Sequence, residues 1–104
     1  MEINNKSIGI EFIINSNFKK PSQRVKFSRE LYGHRRYSNH GKYLYVEEGI
    51  LSDTPHIKPT KSVIIVSEKN SKKLREFFKN WGVDFKERKV ILNKEESEKI
   101  NQEI

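Results

Sequence analysis

The sequence predicts a small α+β domain in which a four-stranded antiparallel sheet packs against two helices on one face, followed by a short C-terminal helix. Three observations favour this class: short apolar stretches with the spacing of strands, two stretches that fit helices, and the order in which these stretches occur. A length of 104 residues suits a single domain, residues 1–104. The order strand, helix, strand, strand, helix, strand is that of the ferredoxin-like split βαβ sandwich.

A first strand and a first helix account for the N-terminal third of the chain. Apolar residues occupy every second position in residues 8–14, which is the period of a strand with one buried face. Pro21 near the start and Gly33 at the end bound a helix over residues 22–32. The apolar residues of that segment are also two or four positions apart, as in a strand. A mostly β fold with one helix across the sheet is therefore the alternative.

The middle of the chain is predicted to contribute a loop and two strands. Turn-forming residues, two adjacent arginines and no apolar period predict an exposed loop over residues 34–41, HRRYSNHG. Residues 42–48 alternate as a strand does, and residues 49–60, which include two prolines, predict a bend or a wide hairpin. Four consecutive β-branched residues make residues 62–67 the best candidate for a central strand that is buried on both faces.

The last third of the chain is predicted to hold a helix, a strand and a second helix. The first of these helices has the i, i+3, i+4, i+7 spacing of an amphipathic helix at Leu74, Phe77, Phe78 and Trp81. It is expected to begin at Asn70 or Ser71 and to end at Gly82. A strand over residues 83–92 follows, and the NKEE sequence after it is a capping box that predicts the short C-terminal helix.

The net charge of +7 is concentrated in the segment between residues 19 and 42. This segment holds eight Lys or Arg residues against one acid, whereas the rest of the chain holds thirteen bases and thirteen acids. All four tyrosines of the chain lie within it or directly after it, and Tyr37, Tyr43 and Tyr45 are the predicted contacts for bases. Cations for phosphates and flat rings for bases are the side chains that bind single-stranded nucleic acid. The predicted phosphate contacts are Lys19, Lys20, Arg24, Lys26, Arg29, Arg35, Arg36 and Lys42.

We therefore expect residues 19–45 to bind nucleic acid, with RNA or single strands favoured over a plain duplex. The stretch GKYLYVEE, residues 41–48, resembles in outline the aromatic strand of the RNA recognition motif. It lacks the second glycine and the third aromatic residue of that motif, and it stands at a different place in the strand order. No family is assigned on this resemblance.

Two histidines in the predicted loop suggest a second activity for the same segment. His34 and His40 flank Arg35 and Arg36, and a ribonuclease that works without metal needs a base, an acid and cations around one phosphate. Imidazole can serve as either the acid or the base near neutrality. No spacing rule defines such a site, so a metal-independent ribonuclease is an alternative, and catalysis is not the favoured interpretation.

The sequence predicts no metal site, no cofactor and no contact with a membrane. The five residues between His34 and His40 match no common zinc spacing, and His56 is the only other histidine. No glycine-rich phosphate loop precedes a helix. The chain has no cysteine, no long apolar run and no signal-peptide core, which favours a cytoplasmic protein.

A different class of function is a small subunit or dimeric adaptor of a larger protein or nucleoprotein assembly. The strand over residues 83–92 could stand at a sheet edge and pair with a second copy or with a partner protein. The apolar stripe on the C-terminal helix would serve the same purpose. Such a chain would be dimeric and would bind nucleic acid poorly by itself.

Overall fold

A computed structural model describes residues 7–38 and 40–101. The chain divides into two compact units: the sheet unit, residues 1–17 and 54–104, and the helix–hairpin unit, residues 18–53. The elements in chain order are β1 (Ile8–Asn15), α1 (Pro21–Tyr32), β2 (His34–Ser38), β3 (Tyr43–Glu47), β4 (Ile57–Thr60), β5 (Val63–Ser67), α2 (Glu68–Trp81), β6 (Asp84–Ile91) and α3 (Lys94–Ile100). The chain is therefore of the α+β class, with a four-stranded antiparallel sheet and three helices in its described part.

The sheet unit contains the four-stranded sheet, in the order β4-β5-β1-β6, and each pair of neighbours is antiparallel. β1 lies between β5 and β6, and the register places Phe12 opposite Ile64 on one side and opposite Glu87 on the other. β5 is a central strand, and its residues 64–67 are buried. The predicted first strand, buried central strand and last strand are confirmed.

The face of the sheet that carries Phe12 packs against α2. The ring of Phe12 lies 5.5 Å from that of Phe78 on α2 and 5.9 Å from that of Phe85 on β6, measured between centroids. Ile10 and Ile14, two positions to either side of Phe12, are buried on the same face. The helical spacing of apolar residues in the sequence thus correctly identified the side of α2 that packs on the sheet.

The opposite face of the sheet packs against α3. Ile65, Leu92 and Ile100 form a buried cluster there. Gly9 of β1 stands beside this cluster, and a Cβ atom at its position would lie 2.9 Å from Cγ2 of Ile65 and 3.2 Å from the methyl groups of Leu92. The glycine therefore leaves the space that these two side chains fill.

The predicted start of α3 and the predicted C-terminal end of α2 are confirmed. Asn93 precedes α3, and its Oδ1 accepts a hydrogen bond from the backbone N–H of Glu96 at 2.8 Å. In return, Oε1 of Glu96 accepts from the backbone N–H of Asn93 at 3.1 Å, which completes the capping box. Gly82 ends α2 in the left-handed conformation, with φ of 68°.

The predicted start of α2 is wrong. The helix begins at Glu68, with Ser67 as its N-cap, and no side chain caps it. Asn70, a predicted cap, instead donates from Nδ2 to Oγ of Ser67 at 3.2 Å, and Ser71 donates from Oγ to the carbonyl oxygen of Glu68 at 2.7 Å. The strand β5 runs directly into the helix without a loop, so two cap-forming residues stand inside the first turn.

The helix–hairpin unit consists of α1 and the antiparallel pair β2 and β3. The segment after β3 returns to the C-terminal end of α1, where the backbone N–H groups of Ile50 and Leu51 donate to the carbonyl oxygens of Glu30 and Leu31, at 2.9 Å each. A Cβ atom at Gly49 would lie 2.7 Å from the backbone carbon and oxygen of Leu31. Only glycine allows this approach of two backbone segments, which closes the unit.

Three strands differ from the sequence prediction. Residues 34–41, predicted as a loop, contain β2, because a short turn lets them pair with the next segment without an apolar period of their own. The strand predicted at residues 42–48 is present as β3, but it pairs with β2 in a separate two-stranded sheet. Its expected place in the four-stranded sheet is taken by β4, which lies inside the predicted bend.

Candidate nucleic-acid interface

The hairpin of β2 and β3 separates the aromatic residues of the predicted interface onto two faces. The register pairs Arg35 with Val46 and Tyr37 with Leu44. These four residues share one face, which we call the Tyr37 face, because side chains alternate along a strand. Tyr45 lies between Leu44 and Val46 in β3, so its side chain stands on the other face. Tyr37 and Tyr45 thus do not form one continuous stacking surface.

Each face of the hairpin carries an exposed tyrosine. Tyr37 is 64% exposed and Tyr45 is 49% exposed. Leu44 and Val46 accompany Tyr37 and are 49% and 61% exposed. A strand pair that buried one face would not show large apolar side chains at this level of exposure on both faces. The rings of both tyrosines are accessible for contact with a partner.

The turn of the hairpin adds a cation at its tip. His40 and Gly41 have left-handed backbone conformations, with φ of 58° and 85°. Lys42 follows them and is exposed. Arg36 and Tyr43 both belong to the paired residues of the same hairpin. The structure therefore brings five of the predicted binding residues besides Tyr37 into one hairpin: Arg35, Arg36, Lys42, Tyr43 and Tyr45.

The remaining predicted bases lie on α1 or directly before it. All are exposed: Lys19, Lys20, Arg24, Lys26 and Arg29. Lys26 and Arg29 line an open groove of about 760 Å³, whose other lining residues are Ser22, Val25, Glu30, Glu47 and Glu48. Three carboxylates against two bases make this groove unfavourable for a phosphate. Lys26 and Arg29 are therefore weaker candidates for phosphate contacts than the Lys and Arg residues of the hairpin.

The acids that follow the basic segment reduce its charge within the folded unit. The helix–hairpin unit holds eight bases and four acids, a net charge of +4. The sheet unit holds thirteen bases and ten acids, a net charge of +3. Because the helix–hairpin unit is about half as long, it carries more than twice the positive charge per residue. The excess of positive charge remains, but it is smaller than the count over residues 19–42 indicates.

The hairpin does not bring the two predicted catalytic histidines together. His34 is the half-buried first residue of β2, and His40 is exposed in the turn beyond the other end of that strand. A strand of this length separates its ends by about 13 Å. A metal-independent ribonuclease needs both imidazoles within hydrogen-bond reach of one phosphate. The catalytic role of the pair stays a prediction, and this geometry does not favour it.

The described residues offer no set of metal ligands. Within residues 7–38 and 40–101, no group of three or more His, Asp or Glu side chains could hold a metal ion. His56 donates from Nδ1 to the carbonyl oxygen of Thr54 at 2.9 Å, which is a local contact in the turn before β4. No helix in the same part of the chain is long and apolar enough to cross a membrane.

Sequence reasoning missed four residues that shape this surface. Leu44 and Val46 were assigned to a strand of the main sheet, and no sequence signal distinguishes an exposed apolar strand of this kind from a buried one. Glu47 and Glu48 line the groove beside α1. The sequence alone could have shown that these two acids lower the positive charge of this region, because they follow directly after the basic segment and its tyrosines.

Comparison of the chain with protein-family models, with curated proteins and with solved structures yields no match.

Proposed function

We propose that the chain binds single-stranded nucleic acid, with RNA favoured, through the hairpin of the helix–hairpin unit. The observation that carries this proposal is the composition of the Tyr37 face, where an exposed ring stands among two exposed apolar side chains and one arginine. Stacking of a base on an aromatic ring contributes about 1–3 kcal/mol, and arginine adds attraction to phosphate or stacks on a base itself. A face of this composition fits a base and its backbone together.

Single strands suit this surface better than a duplex. Bases in a duplex are stacked on one another, so their flat faces are not available to a protein ring. The exposed rings of Tyr37 and Tyr45 can each accept an unstacked base, and their position on two faces requires the strand to bend around the hairpin or to engage one face at a time. The flexibility of a single strand permits either mode.

The basic residues of the hairpin are the proposed phosphate contacts. Arg35 lies on the Tyr37 face, and Arg36 and Lys42 belong to the same hairpin. Each phosphate contact with a single strand adds about 0.7 to the slope of log K against log salt. The bases at the start of α1, Lys19, Lys20 and Arg24, would extend the positive field outside the groove. Affinity should therefore fall steeply as salt is added.

We also propose that the sheet unit belongs to the ferredoxin-like class, with the hairpin as an insertion. The strand order β4-β5-β1-β6, antiparallel throughout, supports this proposal, because the split βαβ sandwich places its first strand between its third and fourth. On this view, α1 and the hairpin occupy the connection between the first and second strands of the sheet. Nuclear Overhauser effects between α1 and the sheet unit would test this proposal.

The direct test is fluorescence anisotropy with labelled single-stranded RNA, single-stranded DNA and the two duplexes, over a salt series. We expect the single strands to bind more tightly than the duplexes. Tyr37→Ala should weaken binding about 5- to 150-fold, which corresponds to the loss of one stacked base. Tyr37→Phe keeps the ring and should change the affinity little.

The matched control for charge compares the hairpin with α2. The double variant Arg35→Ala/Arg36→Ala should weaken binding at least about tenfold at low salt and lower the salt slope by about 1 to 2. Lys72→Ala removes an exposed base on α2 and should do neither. Equal effects of these variants, or no binding to any of the four probes at low salt, would overturn the proposal. New cyclic-phosphate ends on the RNA would instead support the ribonuclease.

A further inference from the structure

The two edge strands of the four-stranded sheet differ in how they are protected against pairing. β4 is four residues long, includes Pro59, and its register with β5 shifts between Ile57 and Thr60. β6 is eight residues long, contains no proline, and pairs with β1 in one unbroken register. A short, irregular edge with proline resists pairing with another chain, whereas a long regular edge invites it. β6 is therefore the longer and more regular edge among the described strands, but five of its eight residues are charged, which restricts pairing to a strand that matches these charges.

We propose that β6 pairs in antiparallel orientation with β6 of a second copy of this chain, so that the two sheets join into one sheet of eight strands. A two-fold axis perpendicular to the sheet relates the copies. With such an axis, the face of one sheet continues into the same face of the other. Directly opposed residues therefore lie on the same face, and because side chains alternate along a strand, they are identical or an even number of positions apart in sequence. Three registers then overlap along most of the strand, with the axis at Glu87, Arg88 or Lys89.

The register with its axis at Arg88 joins complementary side chains. Glu87 stands opposite Lys89 of the second copy, and symmetry repeats this pair. Phe85 stands opposite Ile91 of the second copy, also twice. Ile91 is 71% exposed and Phe85 is half-buried in the isolated chain, so their contact removes apolar area from water.

The other two registers join no opposite charges. An axis at Glu87 opposes this residue to itself and places Lys86 opposite Arg88 of the second copy. An axis at Lys89 opposes Lys89 to itself and gives Glu87 an apolar partner. An axis at Arg88 also opposes a residue to itself, but all three axis residues have an ion-pair partner in their own chain. Arg88 pairs with Glu11 at 2.8 Å, Glu87 with Arg75 at 3.0 Å and Lys89 with Glu68 at 3.9 Å, so self-opposition does not distinguish the registers. Only the register centred on Arg88 adds opposite charges across the axis. Charge therefore selects the register centred on Arg88.

The first experiment exchanges the charges of the proposed pair. By light scattering after size exclusion, the wild-type chain should have twice the 12.4 kDa mass of one copy. Lys89→Glu and Glu87→Lys should each be monomeric, because each opposes like charges across the axis. An equimolar mixture of the two variants should restore the dimer as a heterodimer, since both opposed pairs of positions 87 and 89 then join a Glu to a Lys. Circular dichroism of each variant checks that it is folded.

The second experiment determines the register by disulfide cross-linking. Because the chain contains no cysteine, an introduced cysteine can form a disulfide only with its copy in a second chain. Directly opposed residues have Cα atoms about 4.5–5.5 Å apart, within the reach of a disulfide. Arg88→Cys should therefore form a disulfide-linked dimer under mild oxidation. Lys86→Cys, whose two copies would be about 14 Å apart, should not. Glu87→Cys would cross-link only in the register centred on Glu87.

Several results would overturn the proposal. A monomeric wild-type chain would exclude it, and so would a dimer that survives both charge variants. A disulfide-linked dimer of the Glu87→Cys variant, without one of the Arg88→Cys variant, would overturn the register. None of these results bears on binding of nucleic acid by the hairpin, because the variants lie in the sheet unit and the hairpin lies in the helix–hairpin unit.

Discussion

The two units of this chain place aromatic residues on strands in opposite environments. In the sheet unit, Phe12 is fully buried between α2 and its neighbours on the sheet, and each face of the sheet carries a helix. In the helix–hairpin unit, Tyr37 and Tyr45 are exposed on opposite faces of a strand pair. A two-stranded hairpin by itself gains little stability from its own contacts. The comparison indicates that the aromatic residue on the strand of the sheet unit stabilises its core, whereas Tyr37 and Tyr45 stay exposed on the strands of the helix–hairpin unit, in which Phe27 of α1 supplies the buried ring.

Truncation of the buried ring should have the largest effect. Phe12→Ala removes the ring that contacts both Phe78 and Phe85, and it should lower the free energy of unfolding by about 3–5 kcal/mol. Denaturant unfolding followed by circular dichroism measures this change. A loss below about 1 kcal/mol would show that the aromatic cluster does not hold the sheet unit together.

The next largest effect is expected at the closure of the helix–hairpin unit. Gly49→Ala would place a Cβ atom against the backbone of Leu31, and overpacking of this kind costs about 1–3 kcal/mol. The control is Gly41→Ala, whose Cβ meets open space, so that only its left-handed φ of 85° opposes the change, by about 1 kcal/mol. Hydrogen exchange of the amides of Ile50 and Leu51 should accelerate in the first variant.

The same variant tests the single domain that the length of the chain predicts. Trp81 is the only tryptophan and lies in the sheet unit, so its fluorescence reports on that unit alone. If the fluorescence transition shifts together with the exchange rates in residues 18–53, the two units unfold as one domain. An unchanged fluorescence midpoint beside faster exchange would instead show two independent units.

A smaller effect is expected at the start of α3. Asn93→Ala removes the side chain that accepts from the N–H of Glu96, and loss of an N-cap costs about 1 kcal/mol. Asn93→Asp keeps an acceptor at the same place and should retain most of the stability. Thermal unfolding of the three chains compares them, and equal melting temperatures for Ala and Asn at this position would contradict the role of the capping box.

The smallest effect on stability is expected at the exposed ring. Tyr37→Ala should change the free energy of unfolding by less than about 0.5 kcal/mol, since exposed side chains away from special backbone positions contribute little. Phe12→Ala and Tyr37→Ala thus remove an aromatic ring from a strand in each unit and should differ severalfold in cost. A comparable loss at Tyr37 would mean that its ring supports the fold, and the proposed stacking role would then lose its basis.

Apart from β4, the elements of the sheet unit could be predicted from the sequence because each has a strong local pattern. Alternation in residues 8–14 and the β-branched run in residues 62–67 predicted strands, and helical spacing predicted α2. β4 was missed, because a four-residue strand that contains Pro59 has the composition of a turn. Its identity as a strand depends on pairing with β5, which is a property of the folded chain.

The candidate interface was readable in composition but not in geometry. The charges and tyrosines of residues 19–45 were evident, whereas the partner of β3 was not. Residues 43–47 are apolar or aromatic at four of five positions, a composition that fits a strand covered on both faces as well as an exposed one. Periodicity reports which residues share a face, but only the fold decides whether that face is covered.

The position of β1 has a consequence for synthesis of the chain. β1 is made before the strands that it pairs with, and the nearest residue in its register is Val63, which pairs with Ile13 fifty positions earlier. At about 5–20 residues per second, the strand waits several seconds with both edges unpaired, whereas a hairpin such as β2–β3 closes within about 10 μs of its completion. Glu11 is the only charge in the segment IGIEFIIN, and a charge within an apolar segment of high β-propensity opposes its aggregation while the segment is unpaired.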